Sequence, residues 1–213
     1  MYPARLPPEC LSAPSITVAV VSRWGLWCGV VAGPLLVTVL VGQALWNPDY
    51  DAGTDPISSL AHGRHGWVQI TTFVVTGLLV AAFGAAALRS DAGTGQWWAG
   101  VLLIVMGAGL VGIGVFVTDP AAWHGTAHNL ATAVAINAGL GAALVLAVVW
   151  WRAGRRPAAT YGVATVVTCA VLGWSSDPTT LAGRHTAVVV LLAAWLTTAA
   201  LSFQRRLPRE PVT

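Results

Sequence analysis

Six apolar stretches, at residues 24–46, 66–88, 97–117, 126–151, 158–174 and 186–203, fill most of this chain, and no Asp, Glu, Arg or Lys stands at the middle of any of them. A bilayer core of roughly 30 Å takes about 20 helical residues to cross, and only the fifth stretch is short for that task. Composition agrees: the chain is 56% hydrophobic and 9% charged, where a soluble domain carries about 25% charged residues. A membrane β-barrel would instead show short alternating segments. The expected fold is therefore an all-α membrane protein of six transmembrane helices, arranged as three helical hairpins of the same orientation. A tail at 1–23 and a tail at 204–213 flank a six-helix domain at 24–203, which leaves no space for a soluble domain.

Charge sets the orientation. Cytoplasmic loops of membrane proteins collect Arg and Lys. Arg5, Arg23, Arg89, Arg152, Arg155, Arg156, Arg205, Arg206 and Arg209 fall on one side of the spans, leaving Arg64 and Arg184 on the other. Both termini are thus expected in the cytoplasm. The Pro-rich start has no clear cleavage site, so the first span reads as an anchor and not as a signal peptide. Every basic residue except His is Arg, which points to a high-GC bacterial gene and a bacterial cytoplasmic membrane. Cys10, Cys28 and Cys169 form no close pair, so no disulfide framework follows.

The opposite side gathers the titratable groups. Asp49, Asp51, Asp55, Asp119 and Asp177 lie there with His62, His65, His124, His128 and His185. Mid-membrane charges mark ion and proton pathways, and their absence argues against a pump or an ion-coupled transporter. Hairpins of one orientation also differ from the inverted halves of many transporters. A phrase repeats at three hairpin turns: Thr54-Asp55-Pro56, Thr118-Asp119-Pro120 and Ser176-Asp177-Pro178. Asp favours a helix N-cap and Pro the first helical position, so each phrase reads first as a helix start.

The copies differ in what surrounds them. After Asp119, His124 and His128 are four residues apart, about 40° round one helical face. Two imidazoles so spaced, with Asp119 at the helix mouth, form a possible ligand set for one divalent metal. Without a metal, the same three are candidate acid–base groups or an interfacial polar cluster. Around Asp55, Ser58 is a candidate nucleophile, with a cap network as the alternative. Arg184 and His185 open the last span; Arg184 is expected to pair with one of the Asp of that side, and the alternative is that the two hold an anionic head group. Trp46, Trp67, Trp123 and Trp174 lie near the same boundary, either as an aromatic belt or as π faces for a cation in a substrate site. Gly107, Gly109, Gly112 and Gly114 would let the third helix pack closely. Asn137, mid-way along the fourth, is expected to make an interhelical hydrogen bond.

Three segments carry a family resemblance: Asp-Pro-Ile-Ser-Ser-Leu from Asp55, Gly-x-Phe-x-x-Asp from Gly114 to Asp119, and His-Gly-x-x-His from His124 to His128. They resemble the family labelled domain of unknown function 998, and the similarity covers about residues 24–203. It implies a six-helix bacterial membrane protein and no particular chemistry. In size, span number and aromatic content the chain also resembles bacterial integral-membrane terpene cyclases, though no motif aligns and no catalytic role carries over.

Three functions follow as alternatives. One is a membrane enzyme using Asp55, Asp119, His124, His128 and Ser58 for acid–base chemistry on a lipid-like or isoprenoid substrate. A second is a metal-dependent hydrolase on His124, His128 and Asp119. The third is a non-enzymatic lipid-binding or assembly protein. Expected partners are membrane lipids and a lipid-like small molecule, with no nucleic acid; no cofactor is implied beyond the one divalent metal of the second reading.

Overall fold

A computed structural model describes residues 16–89, 93–117, 122–174 and 180–205, with side chains described at 23–89, 93–117, 125–173 and 180–205. Six α-helices account for nearly all of them: α1 Ile16–Trp46, α2 Gly66–Leu88, α3 Thr94–Val115, α4 Ala122–Arg152, α5 Arg156–Trp174 and α6 Leu181–Gln204. A 3-10 turn, Ile57–Ala61, lies between α1 and α2. There is no strand among the described residues. Five helices are long and apolar enough to cross a membrane: α1 from Arg23, α2, α3, α4 from Gly125, and α6. At 19 residues α5 is the shortest, and its length of roughly 28 Å only just matches a bilayer core.

The helices begin earlier than the apolar runs imply. Helix α1 starts at Ile16, inside the segment assigned to the tail, and α6 starts at Leu181 and not at 186. In α1 the helix runs on through Ser22 and Arg23 into the apolar segment before them, and in α6 through Gly183, Arg184 and His185, because helical hydrogen bonding does not stop where hydropathy falls.

Each helix packs on the next in sequence, and α6 returns to α1, closing a ring. Glycine contacts show that neighbours run antiparallel. A Cβ at Gly77 would lie 2.6 Å from the Gly107 carbonyl oxygen, and one at Gly84 2.7 Å from that of Gly100. Here α2 and α3 touch backbone to backbone, which only glycine permits. The glycines of α3 divide between two faces. Gly107 and Gly114 meet α2, and Gly109 and Gly112 meet Ala135 and Ala131 of α4. The expected close packing of this helix is therefore present on both sides. In α1, Gly33 rests against the Ala193 carbonyl of α6.

Antiparallel packing brings Arg23, Arg89, Arg152, Arg155, Arg156 and Arg205 to one end of the bundle. Toward that end Phe83, Leu146, Trp150 and Trp195 are almost fully buried, and Phe83 is set edge-on to Phe203 at 5.6 Å. Arg155 lies over the Trp150 ring and Arg156 over Trp151, at 5.8 and 4.9 Å, as cations do beside aromatic rings at a membrane boundary. Asp49, Asp51, Asp55, His62, His65, His128 and His185 lie toward the other end. Apolar side chains such as Leu78, Leu144, Val148, Val167 and Val171 cover the outside, the surface a lipid-facing bundle requires.

Asn137 departs from expectation. It is exposed and its amide donates to the Ala133 carbonyl at 2.8 Å, within its own helix. The carbonyl four residues back is always within reach, so no neighbouring helix is needed.

Candidate functional site

The half of the bundle opposite the end that gathers Arg23, Arg89, Arg152, Arg155, Arg156 and Arg205 contains a cavity of about 320 Å³. Its lower walls come from five helices: Gly33 and Leu36 of α1, Phe73, Thr76 and Val80 of α2, Met106, Leu110 and Ile113 of α3, Ala135 and Ile136 of α4, and Leu192, Ala193 and Leu196 of α6. Polar groups collect at its mouth. Ser58 comes from the 3-10 turn, His128, Asn129 and Thr132 from α4, and His185 from α6. The mouth residues Asn129, Thr132, Leu181, His185 and Val189 are partly exposed, whereas most of the deeper ones are buried. The cavity therefore opens toward the N-terminal ends of α4 and α6.

The 3-10 turn covers part of this opening. Pro56, extended at φ −66° and ψ 145°, leads into it, and buried Ile57 and Leu60 anchor it. Gly63 then takes a positive φ of 77° to swing the chain into α2. Gly66, the first residue of α2, sits directly against the Ala61 carbonyl, where a side chain has no space.

His128 is the best-defined polar group. It is 6% exposed, and its Nδ1 lies 2.8 Å from the Phe116 carbonyl oxygen, just past the end of α3. A carbonyl only accepts, so Nδ1 carries the hydrogen and donates it. In the neutral ring the lone pair is then on Nε2, the nitrogen suited to take a proton or bind a ligand.

Asp55 is not on the cavity, and it caps no helix. Its carboxylate accepts from the Asp51 backbone N–H at 2.9 Å, while its own N–H donates to the Asp51 carbonyl at 2.7 Å. Asp51 in turn accepts from the Gly53 N–H at 2.8 Å. The acidic loop is thus closed on itself. Helix α2 begins eleven residues later, with His65 before it and no side-chain cap. Asp55-Pro56 does lead into a short 3-10 helix, with Pro56 and not Asp55 at its N-cap; the capping role expected of Asp55 is what is corrected, since short Asp side chains bond local backbone in turns as readily as at N-caps. Tyr50 shares the loop, and burial together with the charges of Asp55 and Asp51 pushes its phenol pKa up.

Of the other expected residues, Ser58, His128 and His185 line one cavity, and several do not. Arg184 turns away: Nη1 donates to the Leu172 carbonyl at 2.8 Å and Nε to Thr180 Oγ1 at 3.0 Å. It satisfies the C-terminal carbonyls of α5, a usual post for arginine. Trp46 and Trp67 are 82% and 65% exposed and do not line the cavity; Trp46 stacks loosely on His65 at 6.4 Å. His62 and His65 are exposed. Asp119 and Asp177, and the side chains of Trp123, His124 and Trp174, lie outside the described residues. Among the described residues no three of His, Cys, Asp and Glu are placed to hold a metal. The additional mouth and wall residues Asn129, Thr132 and Thr76 gave no motif to find, though a lone polar residue on an apolar helix face is itself a signal.

The fold and cavity define a multi-pass α-helical membrane protein with an intramembrane pocket. The chain belongs to the family described as Protein of unknown function (DUF998), whose model matches residues 30–202. That match includes the 3-10 turn and all the cavity-lining residues named above. No curated protein and no solved structure matches the chain.

Proposed function

We propose that this protein takes a lipid-like molecule from the bilayer into the cavity and carries out acid–base chemistry on its head group. The observation that carries this reading is the division of the cavity: apolar walls along its depth, and Ser58, His128 and His185 together at its mouth. A molecule with an apolar chain and a small polar head matches that division. His128, with Nδ1 committed to Phe116, accepts a proton from the head through Nε2, and Ser58 orients it. Prenyl chains belong to this ligand class. Phe73 is the one aromatic ring named in the lower walls, apart from the imidazoles at the mouth, so chemistry at the head is favoured over cyclisation of the chain through a carbocation. The self-closed loop favours a structural role for Asp55.

The arginine asymmetry supports placing the arginine end in the cytoplasm and the cavity mouth toward the outer leaflet of a bacterial membrane. The closed ring, with α5 between α4 and α6, supports six spans in three hairpins. Comparing the lipids of membranes that carry wild-type protein with those carrying His128→Gln or Ser58→Ala tests the chemistry. One amphiphile should be depleted by wild type alone; lipid profiles identical across all three proteins would remove the acid–base proposal.

A further inference from the structure

Inside a bilayer an apolar wall selects little, because lipid tails are as apolar as leucine and a chain gains nothing by exchanging one for the other. Choice among ligands therefore rests on the polar atoms of the cavity. Among the polar residues that line it, one is almost fully buried with no partner for its side chain, Thr76 of α2. It is 1% exposed, and its hydroxyl makes no hydrogen bond.

Five other helical threonines behave differently. The hydroxyls of Thr72, Thr165, Thr186, Thr197 and Thr198 each donate to the carbonyl four residues earlier. Thr76 does not, and a buried hydroxyl left unpaired costs stability unless something arrives to accept from it. It stands between Phe73 and Val80, both on the same cavity wall, about 15 Å along α2 from its outer end. A head group held at the mouth is one contact and Thr76 is a second, deeper one.

We propose that the ligand is a single-chain amphiphile bearing a hydrogen-bond acceptor part-way along its chain, received by the Thr76 hydroxyl. A keto, ether or hydroxyl oxygen meets this need, and an unsubstituted chain does not. One chain is indicated by the volume, about 320 Å³, at the lower end of the range for ligand pockets, and by the close approach of Gly33 to Ala193 in its wall. The inference rests on the lipid-binding reading above.

The test uses full-length protein in nanodiscs, with stearic acid and its mono-keto isomers competing against a fluorescent fatty acid. One keto position should bind up to about tenfold tighter than stearic acid, the worth of one neutral hydrogen bond. Thr76→Val should erase that preference, so that stearic acid and every keto isomer bind alike, while Thr76→Ser keeps it. If stearic acid binds but no keto position stands out, or if the preference survives in Thr76→Val, this inference fails alone. If stearic acid does not compete at all, the lipid-binding reading fails with it.

Discussion

The Nδ1 of His128 lies 2.8 Å from the carbonyl oxygen of Phe116, so one hydrogen bond ties the N-terminal part of α4 to the end of α3 and fixes which ring nitrogen is free. Removing the imidazole orphans a part-buried carbonyl. His128→Ala should therefore lower stability by about 1–3 kcal/mol, read from thermal unfolding in detergent. His128→Gln, whose amide can donate to the same carbonyl, should restore part of that stability and none of the chemistry.

Arg184 is a candidate for holding an anionic head, and its guanidinium meets the Leu172 carbonyl and Thr180. Arg184→Gln should weaken the α5–α6 junction by about 1.5–3 kcal/mol, the scale of a hydrogen bond from a charged donor. Ligand affinity of the folded fraction should stay within about twofold of wild type. Thermal unfolding and ligand titration on the same preparation separate the two effects.

The ring depends on glycine where helices touch. Gly77→Ala would place a Cβ 2.6 Å from the Gly107 carbonyl oxygen, a backbone clash that no side-chain rotation relieves. It should cost about 1–3 kcal/mol as overpacking. Gly42→Ala, with nothing within 4 Å of the new atom, should be neutral or stabilise by up to about 1 kcal/mol through helix propensity. Parallel unfolding curves decide between these outcomes.

Tyr50 carries a pH signature of the acidic loop. Burial and the nearby charges of Asp55 and Asp51 raise its pKa, so the folded protein holds the phenolic proton longer than the unfolded chain does. The associated stability is fully present below the ordinary tyrosine pKa of about 10 and is lost as pH rises through the folded value. Phenolate absorbance should show one tyrosine titrating late. Asp55→Asn should bring it earlier, by removing one charge and by loosening the turn that buries it.

How much of this could be read from residues alone follows physical lines. Helix number and the segregation of arginine from Asp and His come from hydropathy and charge, which act over whole segments. The helix-packing role of Gly107, Gly109, Gly112 and Gly114 was legible for the same reason: in an apolar helix, a cluster of missing side chains has few other uses. Local hydrogen-bond choices were not. Asp55 could cap a helix or close a turn, and the nearby Asp51 N–H decided it. Asn137 could reach a neighbour or its own helix, and the carbonyl of Ala133 was closer. Of the histidines, which line a pocket and which face outward depends on helix rotation and loop path. Spacing fixes neither, so His128 and His185 reach the cavity while His62 and His65 do not.

The central claim is that an apolar chain occupies the space among α1, α2, α3, α4 and α6, and photo-crosslinking tests it most directly. A fatty acid with a photoreactive group at the chain end, added to wild-type protein in nanodiscs, should label residues on the deep wall such as Met106, Leu110 and Leu196. Val189→Trp, which fills the cavity from α6, should abolish those labels. Labels confined to outward-facing Leu78, Val148 and Val171, and unchanged by Val189→Trp, would contradict the account.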